Sequence, residues 1–141
     1  MKSIRRHLNH SGLYGQAAIL VLLMCASSFM IWQQTPWKAP DSADAKKNPL
    51  SSDAATIAAG KAVYVKECQK CHGKKGKGDG PSAANLDIPA GNFSTAATQS
   101  QSDGALFWKI SEGRKPMPSF MKKLSEEEIW QSVVYMRTFK E

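Results

Sequence analysis

At 141 residues, 42% apolar and without an internal repeat, the chain is sized for one folded domain with a further segment at its N-terminus. The formal charge of +7 does not point to nucleic acid. Lys2, Arg5 and Arg6 precede a hydrophobic stretch, Lys38, Lys46 and Lys47 fall in a Pro-rich segment, and residues 53–141 keep a net charge of only +3.

Residues 1–12 are basic and free of acids, and no charge interrupts Ser11 to Trp37. The apolar run over 13–32 is about 20 residues long, enough to cross the hydrocarbon of a bilayer as a helix. The cations on its N-terminal side predict that residues 1–12 stay in the cytoplasm and the rest is translocated. Ala26-Ser27-Ser28 could serve as a cleavage site, but Phe29 to Trp32 continue the apolar run beyond it, so an uncleaved anchor is expected against a removed signal peptide. Trp32 and Trp37 at one end and Tyr14 at the other are placed for interfacial belts. Cys25 would be a lipidation site after cleavage, yet Leu22-Leu23-Met24 lacks the small residue such a site needs, and an apolar residue facing lipid is the better reading.

Residues 33–52 change to Pro, Ala, Ser, Lys and Asp, with Pro36, Pro40 and Pro49 interrupting regular helix, and read as a flexible linker. The folded domain is expected over 53–141. Asp53 can cap a helix running from Ala54 to Glu67, with Ile57, Val63 and Tyr64 on one face. Gly60 weakens that helix by about 1 kcal/mol against Ala, which points to close approach of a second helix.

The helix delivers the chain into Cys68-Gln69-Lys70-Cys71-His72. In one helical turn, positions i, i+3 and i+4 share a patch, so both thiols and the imidazole converge. This spacing reads as attachment of a c-type haem, the thiols adding to its vinyl groups as thioethers and His72 rising beneath the iron as proximal ligand. A structural zinc site is disfavoured, because the remaining ligands, Cys25, His7 and His10, all lie near the N-terminus. A thioredoxin-type pair would need a βαβ context, and no β-branched run supplies one. A plain disulfide stays open.

Gly73 to Phe93 is rich in Gly, Lys, Pro and Asn and too poor in apolar residues to hold a core alone, so it is expected to wrap over something else. Asp103 is expected to cap a short helix through Leu106, Phe107, Trp108 and Ile110 that ends at Gly113. Pro116 and Pro118 flank Met117 and predict an extended, non-helical stretch. Ser125 and Glu128 form a capping box, with Leu124 and Ile129 as its hydrophobic staple. Ile129, Trp130, Val133, Val134 and Met136 then give an apolar stripe, and Arg137 and Lys140 suit the C-terminal end of the helix dipole. The first and last of these helices should cross, Tyr64 on one and Trp130 or Tyr135 on the other, with Gly60 at the contact.

Among the methionines, Met136 lies on the helix stripe and Met121 lacks flanking prolines, so Met117 is the leading candidate for a sulfur ligand, with Met121 and the absence of any sulfur ligand as the alternatives. No histidine follows His72, which excludes a second imidazole ligand within the domain.

In their order and spacing, Gly60, Tyr64, Cys68-Gln69-Lys70-Cys71-His72-Gly73, Gly78-Asp79-Gly80-Pro81, Gly113, Met117-Pro118-Ser119-Phe120 and Trp130 with Tyr135 and Arg137 resemble the class I cytochromes c. The likeness is to small bacterial monohaem carriers and to haem domains fused or docked to respiratory enzymes. It implies an all-α cytochrome c fold, here preceded by a single transmembrane helix. It also implies one covalent haem c, Met117 as sixth iron ligand, and a Pro81 carbonyl that accepts the His72 ring N–H.

The function expected is one-electron transfer between respiratory donor and acceptor proteins. The chain would be tethered to the outer face of a bacterial inner membrane with its haem domain in the periplasm, or soluble there after signal cleavage. No enzymatic activity, small-molecule substrate or nucleic acid is expected. Lys66, Lys70, Lys74, Lys75 and Lys77 offer a docking face for an acidic partner or else an ordinary solvated loop. A fixed subunit of a larger oxidoreductase is the alternative, and a haem sensor or peroxidase with an open iron site is the reading from another class.

Overall fold

Four side chains decide where four helices begin: Asp53, Thr95, Ser102 and Ser125. In the computed structural model, which describes residues 36–141, each accepts a hydrogen bond from the backbone N–H three residues on. The helices among the described residues are α1 (Asp41–Asp44), α2 (Ala54–Glu67), α3 (Gln69–His72), α4 (Ala96–Gln99), α5 (Asp103–Glu112) and α6 (Glu126–Arg137), with a 3-10 turn at Ala83–Asn85. No strand forms among these residues, in keeping with the expected all-α class. The expected basic segment over 1–12 and transmembrane helix over 13–32 lie outside the described residues. Among those described, no helix is long and apolar enough to cross a membrane.

α2 and α6 form the main helix pair, as the sequence predicts, and Gly60 sits at their crossing. A Cβ at Gly60 would fall onto the Gln131 carbonyl and lie 3.0 Å from the Tyr135 Cβ. The absence of a side chain there lets the two backbones touch. One turn on, Tyr64 packs against Tyr135 with ring centroids 5.2 Å apart, while Trp130 turns to the other side and stacks on Phe107 at 4.2 Å. Val63, Leu106, Ile110, Phe120, Leu124, Ile129, Trp130, Val133 and Met136 make one buried cluster, so the Leu124–Ile129 staple is built into the core. The capping box is complete, Ser125 and Glu128 exchanging hydrogen bonds.

Three expectations are corrected. The cap of α5 is Ser102, whose hydroxyl accepts from the Ala105 N–H at 3.0 Å, rather than Asp103. Asp103 begins the helix instead and is free to receive Arg137, whose Nε and Nη2 donate to its carboxylate at 2.9 and 2.6 Å. The Met117 stretch is a turn rather than an extended run. Met117 N–H donates to the Arg114 carbonyl at 2.9 Å, and the Lys115–Pro116 peptide is cis.

The third concerns residues 38–52, which do not behave as a flexible linker: residues 38–141 form one compact unit. Pro40 does not break α1 but precedes it, at the N-cap, where a missing N–H costs nothing. Ala39 is buried, Asp44 accepts from the Ser102 hydroxyl at 2.8 Å, and Lys46 pairs with Glu126 at 2.7 Å while lying 4.2 Å over the Phe107 ring. Gly104 makes room for this strap, since a Cβ there would meet the Ala43 and Lys46 carbonyls.

Candidate haem site

The site is built at the end of α2. Cys68 N–H still donates to the Tyr64 carbonyl at 2.9 Å, and Cys71 and His72 N–H both reach the Cys68 carbonyl, at 3.1 and 2.9 Å. The turn is therefore helical through the motif, and Cys68, Cys71 and His72 share a patch as their spacing predicts. Gly73 ends it at φ +79°, a left-handed conformation that favours glycine, and its carbonyl accepts from the Tyr64 hydroxyl at 2.7 Å.

The Gly-rich stretch after the motif folds back on its carbonyls. Gly78, Gly80 and Ser82 N–H donate to the carbonyls of His72, Cys71 and Lys70 at 2.9, 3.1 and 2.9 Å. This segment also explains a departure from the resemblance. Pro81 is held in a backbone run that serves Lys70 and Cys71, and its side chain is exposed. The carbonyl that faces the His72 ring is that of Gly91, 3.1 Å from Nδ1, and Gly78 packed against Ala90 brings it there.

A carbonyl only accepts, so the proton sits on Nδ1 and the Nε2 lone pair is left for coordination. Burial holds the His72 pKa below its ordinary value, partly countered by the Gly91 bond, and keeps the ring neutral, as a metal ligand must be. Phe93 stacks on that ring, centroids 4.3 Å apart and planes 24° off parallel. Phe93, Tyr64, Tyr135 and Phe139 form an aromatic wall behind the site. Neither Gly91 nor Phe93 was legible as a site residue. The available signal was Phe93 itself, a lone aromatic in a run otherwise poor in apolar side chains.

Both thiols are free and half-buried. Burial, then the neighbouring Glu67 and Cys71, push Cys68 up to about 12, away from the low pKa of a reactive redox dithiol. Two free thiols beside an imidazole whose Nε2 is left for a metal fit the covalent attachment of haem c.

Of the methionines, Met136 is buried in the core, Met121 is 58% exposed, and Met117 is half-buried against the same core that receives Phe93. The Met117 turn is fastened to α5. Gly113 at φ +67° lies against Pro118, the Ser119 hydroxyl donates to the Ser111 carbonyl at 2.6 Å, and Phe120 N–H donates to the Ile110 carbonyl at 3.2 Å. Lys66, Lys70, Lys74 and Lys75 are exposed near the motif, while Lys77 pairs with Glu141 at 2.7 Å.

The profile of the family described as "Cytochrome C oxidase, cbb3-type, subunit III" matches residues 55–136. Among solved structures, a chain of the "Kuenenia stuttgartiensis reducing HAO-like protein complex Kustc0457/Kustc0458" is 36% identical with a TM-score of 0.60, the match covering 66% of this chain and 47% of that one. The chain thus spans about half the length of that neighbour. A second, "KustC0563 c-type cytochrome", is 31% identical with a TM-score of 0.52 over 58% of this chain and 98% of that one. No curated protein matches the chain. With its helical fold, its haem-attachment turn and this profile match, the chain belongs to the family of cytochrome c oxidase, cbb3-type, subunit III, and carries a class I c-type cytochrome domain that serves electron transfer.

Proposed function

We propose that the chain is a one-electron carrier holding a single haem c, bound as thioethers by Cys68 and Cys71, with His72 as proximal and Met117 as distal ligand. The observation that carries this reading is the pair of free thiols and a neutral imidazole on one helical turn, the imidazole turned by Gly91 so that Nε2 is left for metal. Haem c supplies, when bound, an iron that cycles between ferrous and ferric states one electron at a time. The chain's residues set the terms of that cycle. The Gly91 carbonyl and the Phe93 ring fix the His72 plane, and the hydrogen bond to the carbonyl makes the ring's lone pair more basic. The Met117 thioether would favour the ferrous state and a raised potential, and an iron held by both His72 and Met117 would leave no place for a small-molecule substrate.

The electrons would pass between a respiratory donor and an acceptor such as a terminal oxidase or reductase, at the outer face of a bacterial inner membrane to which residues 13–32 anchor the domain. The exposed Lys66, Lys70, Lys74 and Lys75 offer an acidic partner a complementary docking face. A fixed subunit of a larger oxidoreductase is the second reading, and one observation favours it. The strap from Ala39 to Lys46 is fastened to α5 and α6, so these residues belong to the folded domain and not to a free tether. The solved neighbour that is part of a protein complex supports the same reading.

The decisive test is covalency and ligation. Denatured protein should keep its haem through acidified acetone, Cys68→Ala or Cys71→Ala should lower retention, and the oxidised protein should show the near-infrared sulfur-to-iron band. Extractable haem would overturn covalent attachment, and a missing band together with ready carbon monoxide binding would transfer the domain to the sensor or peroxidase class. Purification from detergent-solubilised membranes separates carrier from subunit by what stays bound.

A further inference from the structure

Two blocks of the domain must stay together for His72 and Met117 to serve one iron. One is α2 with α3 and the Gly-rich stretch that hydrogen-bonds to the motif. The other is α5 with the Met117 turn and residues 119–124. The second is knit internally: Ser119 and Phe120 to the end of α5, then Lys123 and Leu124 N–H both to the Phe120 carbonyl at 2.9 Å.

Glu67 ends α2, immediately before Cys68, and its side chain is only 5% exposed. Its Oε2 lies 2.5 Å from Lys123 Nζ, while Oε1 is 3.9 Å from Lys66 Nζ. A carboxylate taken so far out of water is costly unless paired, and here the close partner comes from the opposite block. Lys123 itself is 61% exposed, so the buried charge is on the thiol-bearing side and its neutraliser on the methionine-bearing side.

We infer that the Glu67–Lys123 ion pair is a latch that holds the Met117 block against the haem-attachment turn, so that Glu67 and Lys123 are positioning residues for the distal ligand. The inference rests on the proposed Met117 ligation. An outside ligand reaches the iron only when Met117 has left it, so its apparent affinity scales with the open fraction, and a latch that favours the closed state suppresses it in proportion.

The test is cyanide affinity of the ferric holoprotein, with the near-infrared band followed in the same titration. Lys123→Gln leaves Glu67 buried without its close partner and should raise cyanide affinity by about tenfold or more. Glu67→Gln removes the buried charge as well as the pair and should give a smaller rise. The double variant should match Glu67→Gln alone, since Lys123 then has nothing to neutralise. Lys122→Gln, an exposed neighbour on the same turn, controls for net charge and should change nothing.

A global denaturation midpoint measured alongside separates the latch from general stability. Lowered midpoints with unchanged cyanide affinity, strictly additive single effects, or an equal rise in Lys122→Gln would each overturn the latch. If the unmodified protein lacks the sulfur-to-iron band, the Met117 reading itself fails, and the latch with it. A normal band in unmodified protein with unresponsive variants sinks the latch alone.

Discussion

Met117 differs from Met121 in placement more than in chemistry: the first is half-buried against the core, the second stands in solvent. Replacing Met117 by Ala should therefore abolish the near-infrared band and open the iron to cyanide or carbon monoxide. Met117→His should keep it low-spin at a lower potential, because imidazole lacks the thioether's preference for ferrous iron. Each tenfold loss of that preference is about 59 mV in a redox titration. Met121→Ala should do neither. A band that survives Met117→Ala and is lost in Met121→Ala would reverse the assignment.

At the scale of elements, the α2–α6 crossing is the contact most sensitive to a single atom. Gly60→Ala gains about 1 kcal/mol in helix propensity. It also presses a methyl onto the Gln131 backbone carbonyl, which cannot rotate away as a side chain could. Overpacking of that kind costs about 1–3 kcal/mol, so the net effect in chemical denaturation should be a loss of stability. A neutral or stabilising result would mean that the two helices separate there without penalty. Arg137 acts on the same scale. Besides Asp103 it donates to the Gln99 and Gln101 carbonyls at 3.0 and 2.6 Å, so the end of α6 holds the start of α5 as well as facing its own dipole.

For the folded domain as a whole, the strap from Ala39 to Lys46 is the segment held by distant partners, Ser102 on one side and Glu126 on the other. Gly104→Ala should lift the strap off α5. Hydrogen exchange of Ala43 to Lys46 amides should then accelerate while α2 and α6 stay protected, and uniform loss of protection would instead show that the strap and the core unfold as one unit. The surface carboxylates set the acid limit. The hydroxyl of Ser51 and the Thr56 N–H hold Asp53 below its ordinary value, and Lys46, the Ser125 N–H and Lys77 do the same for Glu126, Glu128 and Glu141. Depressed acids contribute stability that is present above their ordinary values of 3.8 and 4.5 and is lost as pH falls through the folded ones. Stability should therefore decline below about pH 4.5. Salt should weaken the Glu126 and Glu141 contributions more than the two caps, because exposed ion pairs are screened. A flat profile between pH 5 and 3 would contradict this.

Local chemistry was enough to place the haem-attachment turn, the capped starts of α2 and α6, the end of α5 at Gly113 and the glycine at the helix crossing. Each depends on residues within a few positions of one another or on a steric demand that only glycine meets. Tertiary structure decided what depends on distant segments meeting. Gly91 faces His72 because Gly78 packs on Ala90, nineteen residues separating the ring from its carbonyl. Asp103 turns from cap to ion-pair partner because Arg137 arrives from the far end of the chain. Residues 38–52 have the composition of a coil, and they order because Gly104, Phe107 and Glu126 offer them a surface on which a short helix and one lysine find partners. No local pattern in Pro, Ala, Ser, Lys and Asp records that surface, since it exists only after α5 and α6 have packed.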